Sequence, residues 1–247
     1  MSRWIIVNAD DFGQSYAINR GVIAVFEHGI VTSASLMVRW PASRHAADYA
    51  RQHPSLSLGL HVDFGEWAYR NEIWLPVYEV LRTEHPDEYR RELAHQLNAF
   101  RDLTGQDPTH LDSHQHVHSE EPLRSVLIET AAGLQVPLRN FDPRIRYDGS
   151  FYGQSSRGYP VPRAIEVDSL VRLIQTLPDG VTELGCHPGD VDAHFDSMYR
   201  TERAQEVRTL CDPRVRETIR SAGVGLCSFE ELRPDAKLAR PQAQASQ

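Results

Sequence analysis

The sequence predicts an α/β fold in which a parallel sheet curls into a TIM-like, distorted (β/α) barrel of seven strands. Seven short apolar runs alternate with longer amphipathic stretches along the chain. Such alternation implies parallel strands that are joined by helical crossovers. The length of 247 residues suits one barrel domain of this kind. A doubly wound open sheet is the alternative architecture.

The predicted elements follow the hydrophobic periodicity. Strands are predicted where short apolar runs occur, at residues 4–9, 34–38, 57–62, 109–112, 137–141, 182–186 and 224–227. Helices are predicted where apolar residues recur at helical spacing, at residues 15–28, 41–52, 87–104, 121–132, 165–177, 197–210 and 214–222. Gly29 and Gly105 stand where two of these helices should end.

The remaining segments set the domain limits. Residues 1–232 are predicted to form a single barrel domain, and the polar tail at 233–247 is expected to be disordered. Residues 140–162 are rich in Gly, Pro, Arg and Tyr, which predicts a long functional loop.

Composition excludes several classes of protein. The net charge of −8 argues against non-specific nucleic-acid binding, which depends on neutralising phosphates, and against docking on an anionic membrane. No apolar run is long enough to cross a bilayer. Three cysteines do not make a disulfide framework, and the N-terminal segment lacks the pattern of a signal peptide. We therefore expect a reduced, cytoplasmic enzyme.

Two adjacent carboxylates follow the first predicted strand. Asp10 and Asp11 lie in the segment Asn-Ala-Asp-Asp-Phe-Gly at residues 8–13. Desolvated together, they would repel each other, and a bound cation would remove that repulsion. The alternative is that one of them caps the helix that starts near Ser15.

Histidines follow three further predicted strands. His61 ends the third strand, and His187 precedes a Pro-Gly turn after the sixth. Between them, residues 110–118 contain four histidines and Asp112. Alternate residues of an extended chain share a face, so Asp112, His114 and His116 could point the same way. The alternatives are a satisfied core histidine at position 61, a histidine-rich surface loop, and an incidental histidine at position 187.

The joint pattern is more informative than any single segment. The carboxyl ends of parallel barrel strands open on one face, so all four segments should converge there. One carboxylate with two imidazoles makes a metal site that keeps positions open for water and substrate.

These segments resemble the motifs of the YdjC-like carbohydrate deacetylases, a family that includes chitooligosaccharide and hopanoid-associated deacetylases. The most specific matches are Asn-Ala-Asp-Asp-Phe-Gly at 8–13 and His-Leu-Asp-Ser-His-Gln-His-Val-His at 110–118. Gly-Leu-His at 59–61 and Cys-His-Pro-Gly at 186–189 also fit. The resemblance implies a polysaccharide-deacetylase-like barrel that hydrolyses the acetamido group of an N-acetylated sugar. It implies one divalent metal ion, magnesium or zinc, on Asp11, His61 and His114, with Asp10 as base and His187 as acid.

Four further residues are candidates for substrate binding: His116, Arg39, Trp67 and Arg139. Trp67 could stack on a sugar face, or belong to a local hydrophobic cluster; surface ion pairs are the alternative for the arginines. The donor set alone favours zinc, because magnesium prefers oxygen ligands. A homodimer is a further expectation.

Three other functions compete with deacetylation. A phosphoesterase would use phosphate-clamping cations, and no lysine precedes Lys237. A glycosidase would place its two carboxylates on opposite sides of the scissile bond, not next to each other in the chain. A non-catalytic sugar- or metal-binding protein would bind its ligand without turnover.

Overall fold

The computed structural model describes residues 2–191 and 197–233. Of the tail at 233–247 that is expected to be disordered, residues 234–247 lie outside these residues. The described chain contains nine strands, which are β1 (Arg3–Phe12), β2 (Ser33–Leu36), β3 (Ser57–Val62), β4 (Gly65–Arg70), β5 (Ile73–Glu79), β6 (Leu111–Ser113), β7 (Ile145–Asp148), β8 (Gly180–Cys186) and β9 (Val224–Leu226).

Seven of the described strands form one parallel sheet, as the sequence predicts. Its order is β6-β3-β2-β1-β8-β7, and β9 pairs with β1. The strand β9 contacts β1 only at residues 3–5, whereas β2 contacts β1 at residues 8–12. Both therefore share one side of β1, and the sheet curls into an open half-barrel.

All seven predicted helices are present in the described residues. They are α1 (Tyr16–His28), α2 (Ser43–Gln52), α3 (Pro86–Thr104), α4 (Leu123–Leu134), α5 (Val167–Gln175), α6 (Thr201–Leu210) and α7 (Pro213–Ser221). Ser15 caps α1 by accepting a hydrogen bond from the Ile18 amide, so neither Asp10 nor Asp11 is needed as a cap. Gly105 ends α3 in the left-handed conformation that glycine adopts readily.

The predicted strand at 137–141 is wrong. Only Leu138 in that segment forms a bridge, to Leu111, and the backbone of Asn140 then turns into the left-handed region at φ 69°. The next strand is instead β7, which lies inside the segment predicted as a loop. Short apolar runs are ambiguous because periodicity alone does not specify where pairing begins.

The antiparallel hairpin β4–β5 is an element that the sequence patterns did not reveal. Its two-residue turn consists of Asn71 and Glu72, with φ of 53° and 66°. Tight hairpins favour this mirror-image turn, in which glycine is usual at the second position. Because Glu72 occupies that position, the sequence lacks the glycine that would have indicated the turn.

The hydrophobic core fills the space between the sheet and its helices. The side chains of Ile5, Val7, Val22 and Phe100 are fully buried there. Cys186, Cys211 and Cys227 are unpaired. Among the helices of the described residues, none combines the length and apolar character needed to cross a membrane.

Candidate active site

Polar side chains from four strands meet at the carboxyl edge of the curled sheet. Asp10 and Asp11 lie in β1, and His61 lies in β3. His114 and His187 directly follow β6 and β8. Because these strands are parallel, the fold brings together all five residues that the sequence singled out.

Asp11, His61 and His114 form a compact buried triad. One donor atom from each residue lies within 4.8 Å of the other two. The Oδ1 atom of Asp11 is 3.4 Å from Nε2 of His61 and 2.9 Å from Nδ1 of His114. The three side chains therefore offer one oxygen and two nitrogens to a common point, which is a donor set that divalent metals accept.

Arg203 of α6 determines which oxygen Asp11 presents. Its Nη2 donates to Oδ2 of Asp11 at 2.7 Å, and both side chains are buried. Oδ1 is left facing the two histidines. The backbone of Asp11 has a φ of 64°, a strained conformation that is typical of functional sites.

His61 is oriented by a second carboxylate. Its Nδ1 lies 2.7 Å from Oδ1 of Asp112, which leaves Nε2 to face Asp11. Ser35 donates to the other oxygen of Asp112 at 2.7 Å. Histidines that bind metals in proteins usually have such a carboxylate on the second nitrogen.

The site attracts positive charge. Burial by itself would lower the pKa of His61, but the carboxylates of Asp112 and Asp11 outweigh it and raise the pKa to about 9. Burial also opposes the charged form of His114, yet Asp11 raises the pKa of His114 well above its usual range. Both imidazoles thus favour a proton at the place where a cation could supply the same charge.

Asp10 is held next to the triad by Arg139. The guanidinium donates to both oxygens of Asp10, at 2.7 and 2.8 Å, and the amide of Asn8 donates at 2.8 Å. Burial favours the neutral acid, but Arg139 outweighs it and lowers the pKa of Asp10. Asp10 is therefore an ionised acceptor, and its Oδ2 lies 3.7 Å from Nε2 of His187.

Arg139 is buried within the curl of the sheet. Besides Asp10 of β1, its guanidinium contacts Asp112 of β6 at 2.8 Å and Glu183 of β8 at 2.7 Å. Burial raises the pKa of Glu183 to about 7, although Arg139 opposes the rise. The side chain is 1% exposed, and each of its three guanidinium nitrogens contacts a carboxylate. Substrate binding by Arg139 stays a prediction.

His187 is fixed through its backbone. Its amide donates to Glu206 of α6, and Glu206 also accepts a hydrogen bond from the hydroxyl of Tyr199. Tyr152 and Tyr199 stack on each other beside the imidazole. Burial lowers the pKa of His187 to about 4 even though Asp10 is close, so the resting ring is neutral.

A cleft of about 850 Å³ opens onto this edge of the sheet. His187 and His116 line it, and Nε2 of His116 is 3.3 Å from the hydroxyl of Tyr147. Trp67 and Trp74 of the hairpin form part of its wall. A volume of this size suits a small-molecule ligand.

Arg39 lies elsewhere. It pairs with Glu92 at 2.7 Å and is not among the residues that line the cleft. This contact corresponds to the surface ion pair that the sequence left as the alternative, and substrate binding by Arg39 stays a prediction.

The comparisons with known proteins assign the chain to a family. The sequence profile of YdjC-like proteins matches residues 4–221. The chain belongs to the YdjC-like family. A carbohydrate deacetylase of Geobacillus stearothermophilus is 33% identical to this YdjC-like protein, and the alignment covers 94% of this chain and 99% of the relative. A chitooligosaccharide deacetylase of Serratia marcescens is 31% identical, with 94% and 100% covered.

Solved structures support the fold of this YdjC-like protein. A protein of Enterococcus faecalis V583, provisionally described as a cellobiose-phosphate cleavage protein, superposes with a TM-score of 0.76 at 24% identity, covering 94% of this chain and 100% of the other. A family 4 carbohydrate esterase of Streptomyces lividans has a TM-score of 0.55 at 14% identity, with 92% and 91% covered. At these identities the likeness shows the shared α/β fold.

The sequence patterns did not identify several charged residues of the site, Glu183 of β8 among them. Arg203 and Glu206 lie three positions apart on α6, and Glu66 lies on the unrecognised hairpin. The first two share a helix face, because residues at i and i+3 are neighbours. A charged pair on the buried face of a helix is the signal that could have revealed them.

Proposed function

We propose that this YdjC-like protein is a metal-dependent hydrolase that removes the acetyl group from an N-acetylated sugar. The arrangement that carries the proposal is the buried triad of Asp11, His61 and His114, with Asp10 and His187 3.7 Å apart beside it. The names of the relatives from Geobacillus stearothermophilus and Serratia marcescens support the class of substrate.

The residues of the triad fit a divalent cation. The three buried carboxylates of Asp10, Asp11 and Asp112 share two guanidinium groups, those of Arg139 and Arg203. Their remaining charged partners are His61 and His114, whose protons a cation could replace. One carboxylate and two imidazoles suit zinc better than magnesium, which prefers oxygen donors. When bound, such a cation supplies polarisation of the acetyl carbonyl and a lowered pKa for an attacking water.

Asp10 acts as the general base in this proposal. It is ionised because Arg139 lowers its pKa, so it can accept the proton that the attacking water loses. Arg139 serves by positioning Asp10, because it holds both oxygens of that carboxylate.

His187 acts as the general acid. Oδ2 of Asp10 lies 3.7 Å from Nε2 of His187, so the proton that Asp10 has accepted can pass to His187. His187 then delivers it to the amide nitrogen as the carbon–nitrogen bond breaks, and the products are acetate and a free amine. The imidazole lines the cleft, where a bound sugar can reach it.

The cleft supplies the binding surface for the sugar. Trp67 and Trp74 offer aromatic faces, and His116 offers a polar edge near His187. Among the described residues that line the cleft, Arg82 is the one arginine and there is no lysine. A phosphoesterase would need more cations to hold a phosphate, so this lining gives that function little support. A reduced cytoplasmic location and a homodimer complete the proposal.

Release of acetate from a panel of N-acetylated sugars tests the function. Metal-stripped protein should be inactive and should regain activity with zinc or magnesium. Asp10→Asn and His187→Ala should each lower kcat by about 10²–10⁴-fold, the usual cost of losing a general base or acid. Release of phosphate in place of acetate, or unchanged kcat in both variants, would contradict the proposal.

A further inference from the structure

We propose that Glu66 is a positioning residue that orients His114 for metal binding, and that the β4–β5 hairpin supplies it for this purpose. The inference rests on the proposed function, because it assigns a partner to one residue of the metal-binding triad. Glu66 stands outside the main sheet, on an element that also walls the substrate cleft.

The two nitrogens of His114 face two different carboxylates. Nδ1 lies 2.9 Å from Oδ1 of Asp11, on the side of the triad. Nε2 lies 3.5 Å from Oε2 of Glu66, on the side away from Asp11. Nε2 is buried and has no hydrogen-bond partner among the residues that the structure describes. A small approach by Glu66 would satisfy it.

This arrangement repeats the environment of His61. One nitrogen of His61 faces Asp11 and the other faces Asp112. In both histidines, the nitrogen that turns away from Asp11 meets a carboxylate. Such outer carboxylates select the tautomer and direction of a metal-binding imidazole. Glu66 thus lies on the same side of His114 as Asp112 does of His61, at 3.5 Å where Asp112 is at 2.7 Å.

Glu66 is not a member of the triad itself. Among the described residues, two groups have donor atoms within 4.8 Å of one another, and neither contains Glu66: Asp11 with His61 and His114, and Asp10 with His61 and Asp112. Glu66 is nevertheless 5% exposed, and a buried carboxylate costs free energy unless it has a partner. The side-chain amide of Gln14 also donates to Oε2 of Glu66, at 3.4 Å.

The hairpin is clamped so that Glu66 stays in place. The side-chain amide of Gln115 bonds both the backbone N–H and the backbone C=O of Trp67, each at 2.9 Å. On the opposite strand, the Tyr78 hydroxyl donates to Asp63 at 2.9 Å. Glu66 and Tyr78 are direct partners across the hairpin. The segment that carries His114 and the strand that carries Glu66 are therefore joined by adjacent residues.

The test measures zinc affinity rather than turnover. The full-length chain is stripped of metal, and the zinc Kd is determined by competition with a chromophoric chelator. Glu66→Ala should weaken zinc binding by about 10–100-fold, the usual cost of removing such a partner. Glu66→Gln should lose less, because its carbonyl oxygen can still accept a hydrogen bond from Nε2.

Two further variants make the result interpretable. Glu79→Gln changes an exposed carboxylate on the partner strand and should bind zinc like the wild type. Glu66→Met keeps the buried volume without an acceptor, so it replaces Glu66→Ala if that variant does not fold. Thermal melting in chelator verifies that each variant is folded.

Two outcomes would overturn the inference alone. If wild type binds zinc and Glu66→Ala or Glu66→Met binds it equally well, Glu66 does not orient His114. If Glu66→Ala loses as much affinity as His114→Ala, Glu66 is a ligand and not a positioning residue. Failure of the wild type to bind zinc or magnesium would instead contradict the proposed function.

Discussion

At the scale of single residues, Asp11 combines a strained backbone with a carboxylate that is shared among three partners. One of its oxygens is bonded by Arg203, and the other faces His61 and His114. Such strain persists only where the surroundings over-determine it. Arg203 also donates to the backbone carbonyls of Tyr199 and His187, so one guanidinium links the triad to the proposed acid.

Replacing Arg203 by methionine should make the protein's stability depend on metal. Removing one member of a buried ion pair costs about 3–5 kcal/mol, because the remaining charge is left without a partner. A cation bound at Asp11 would offset part of that cost. Thermal unfolding of Arg203→Met should therefore show a larger gain on adding zinc than wild type does.

The matched control for this prediction lies on the same helix. Arg208 is exposed and bonds Gln205 of its own helix. Arg208→Met should unfold like the wild type with and without zinc. Equal zinc-induced shifts in Arg203→Met and wild type would show that Arg203 does not neutralise Asp11.

The ionisation of Glu206 should lower the protein's free energy of unfolding as the pH rises. Burial raises its pKa from 4.5 to about 8, so the folded protein holds a proton that the unfolded chain releases above 4.5. This group therefore contributes its full stability below about pH 4.5, and that contribution declines until the pH passes about 8. Glu206→Gln resembles the protonated form and should lack the decline.

Urea denaturation at pH 5 and pH 9, chosen to bracket the raised pKa of about 8, measures this difference. The gap in unfolding free energy between Glu206→Gln and wild type should shift in favour of the variant at the higher pH. A gap that is independent of pH would contradict a raised pKa for Glu206.

At the scale of elements, the helices were the part of the fold that sequence periodicity predicted well. Helix α3 carries buried residues at helical spacing and ends at a left-handed glycine, so both its face and its end are local features. The strand at 137–141 was wrong because Leu138 forms only one bridge, and pairing depends on a neighbour distant in sequence. The hairpin was missed because Glu72 occupies a position where glycine is expected.

The same turn gives a prediction for hairpin stability. Glu72 has a φ of 66°, which costs a non-glycine residue of order 1 kcal/mol or more. Glu72→Gly should relieve that cost, whereas Glu72→Ala should retain it. Hydrogen exchange of the amides in β4 and β5 should slow in Glu72→Gly only. Equal exchange in the two variants would mean that the turn is not strained.

At the scale of the whole molecule, the curl of the sheet decides the chemistry. Strands β6 and β8 are separated in the sheet by β3, β2 and β1, yet Arg139 contacts carboxylates on both. A flat sheet would not allow one guanidinium to reach them. The curl therefore concentrates buried acidic groups at one edge, and the surplus of negative charge favours a cation there.

Metal removal should accordingly destabilise the whole protein. A ligand that binds only the folded state adds about 2.7 kcal/mol at a hundredfold excess over its Kd. Thermal unfolding should shift upward with zinc, and His114→Ala should reduce the shift. An identical zinc-induced shift in His114→Ala would place the binding site away from the triad.

The sequence by itself determined the alternation of strands and helices, the family, and the five residues that meet at the sheet edge. These follow from local periodicity and from the position of each motif after a strand. Only the tertiary structure decided the partners of those residues: Arg203 with Asp11, Arg139 with Asp10, and Glu66 with His114. These partners are separated along the chain by dozens to nearly two hundred positions. Charge pairing in a buried site depends on burial and on distance in space, and no local sequence pattern encodes either.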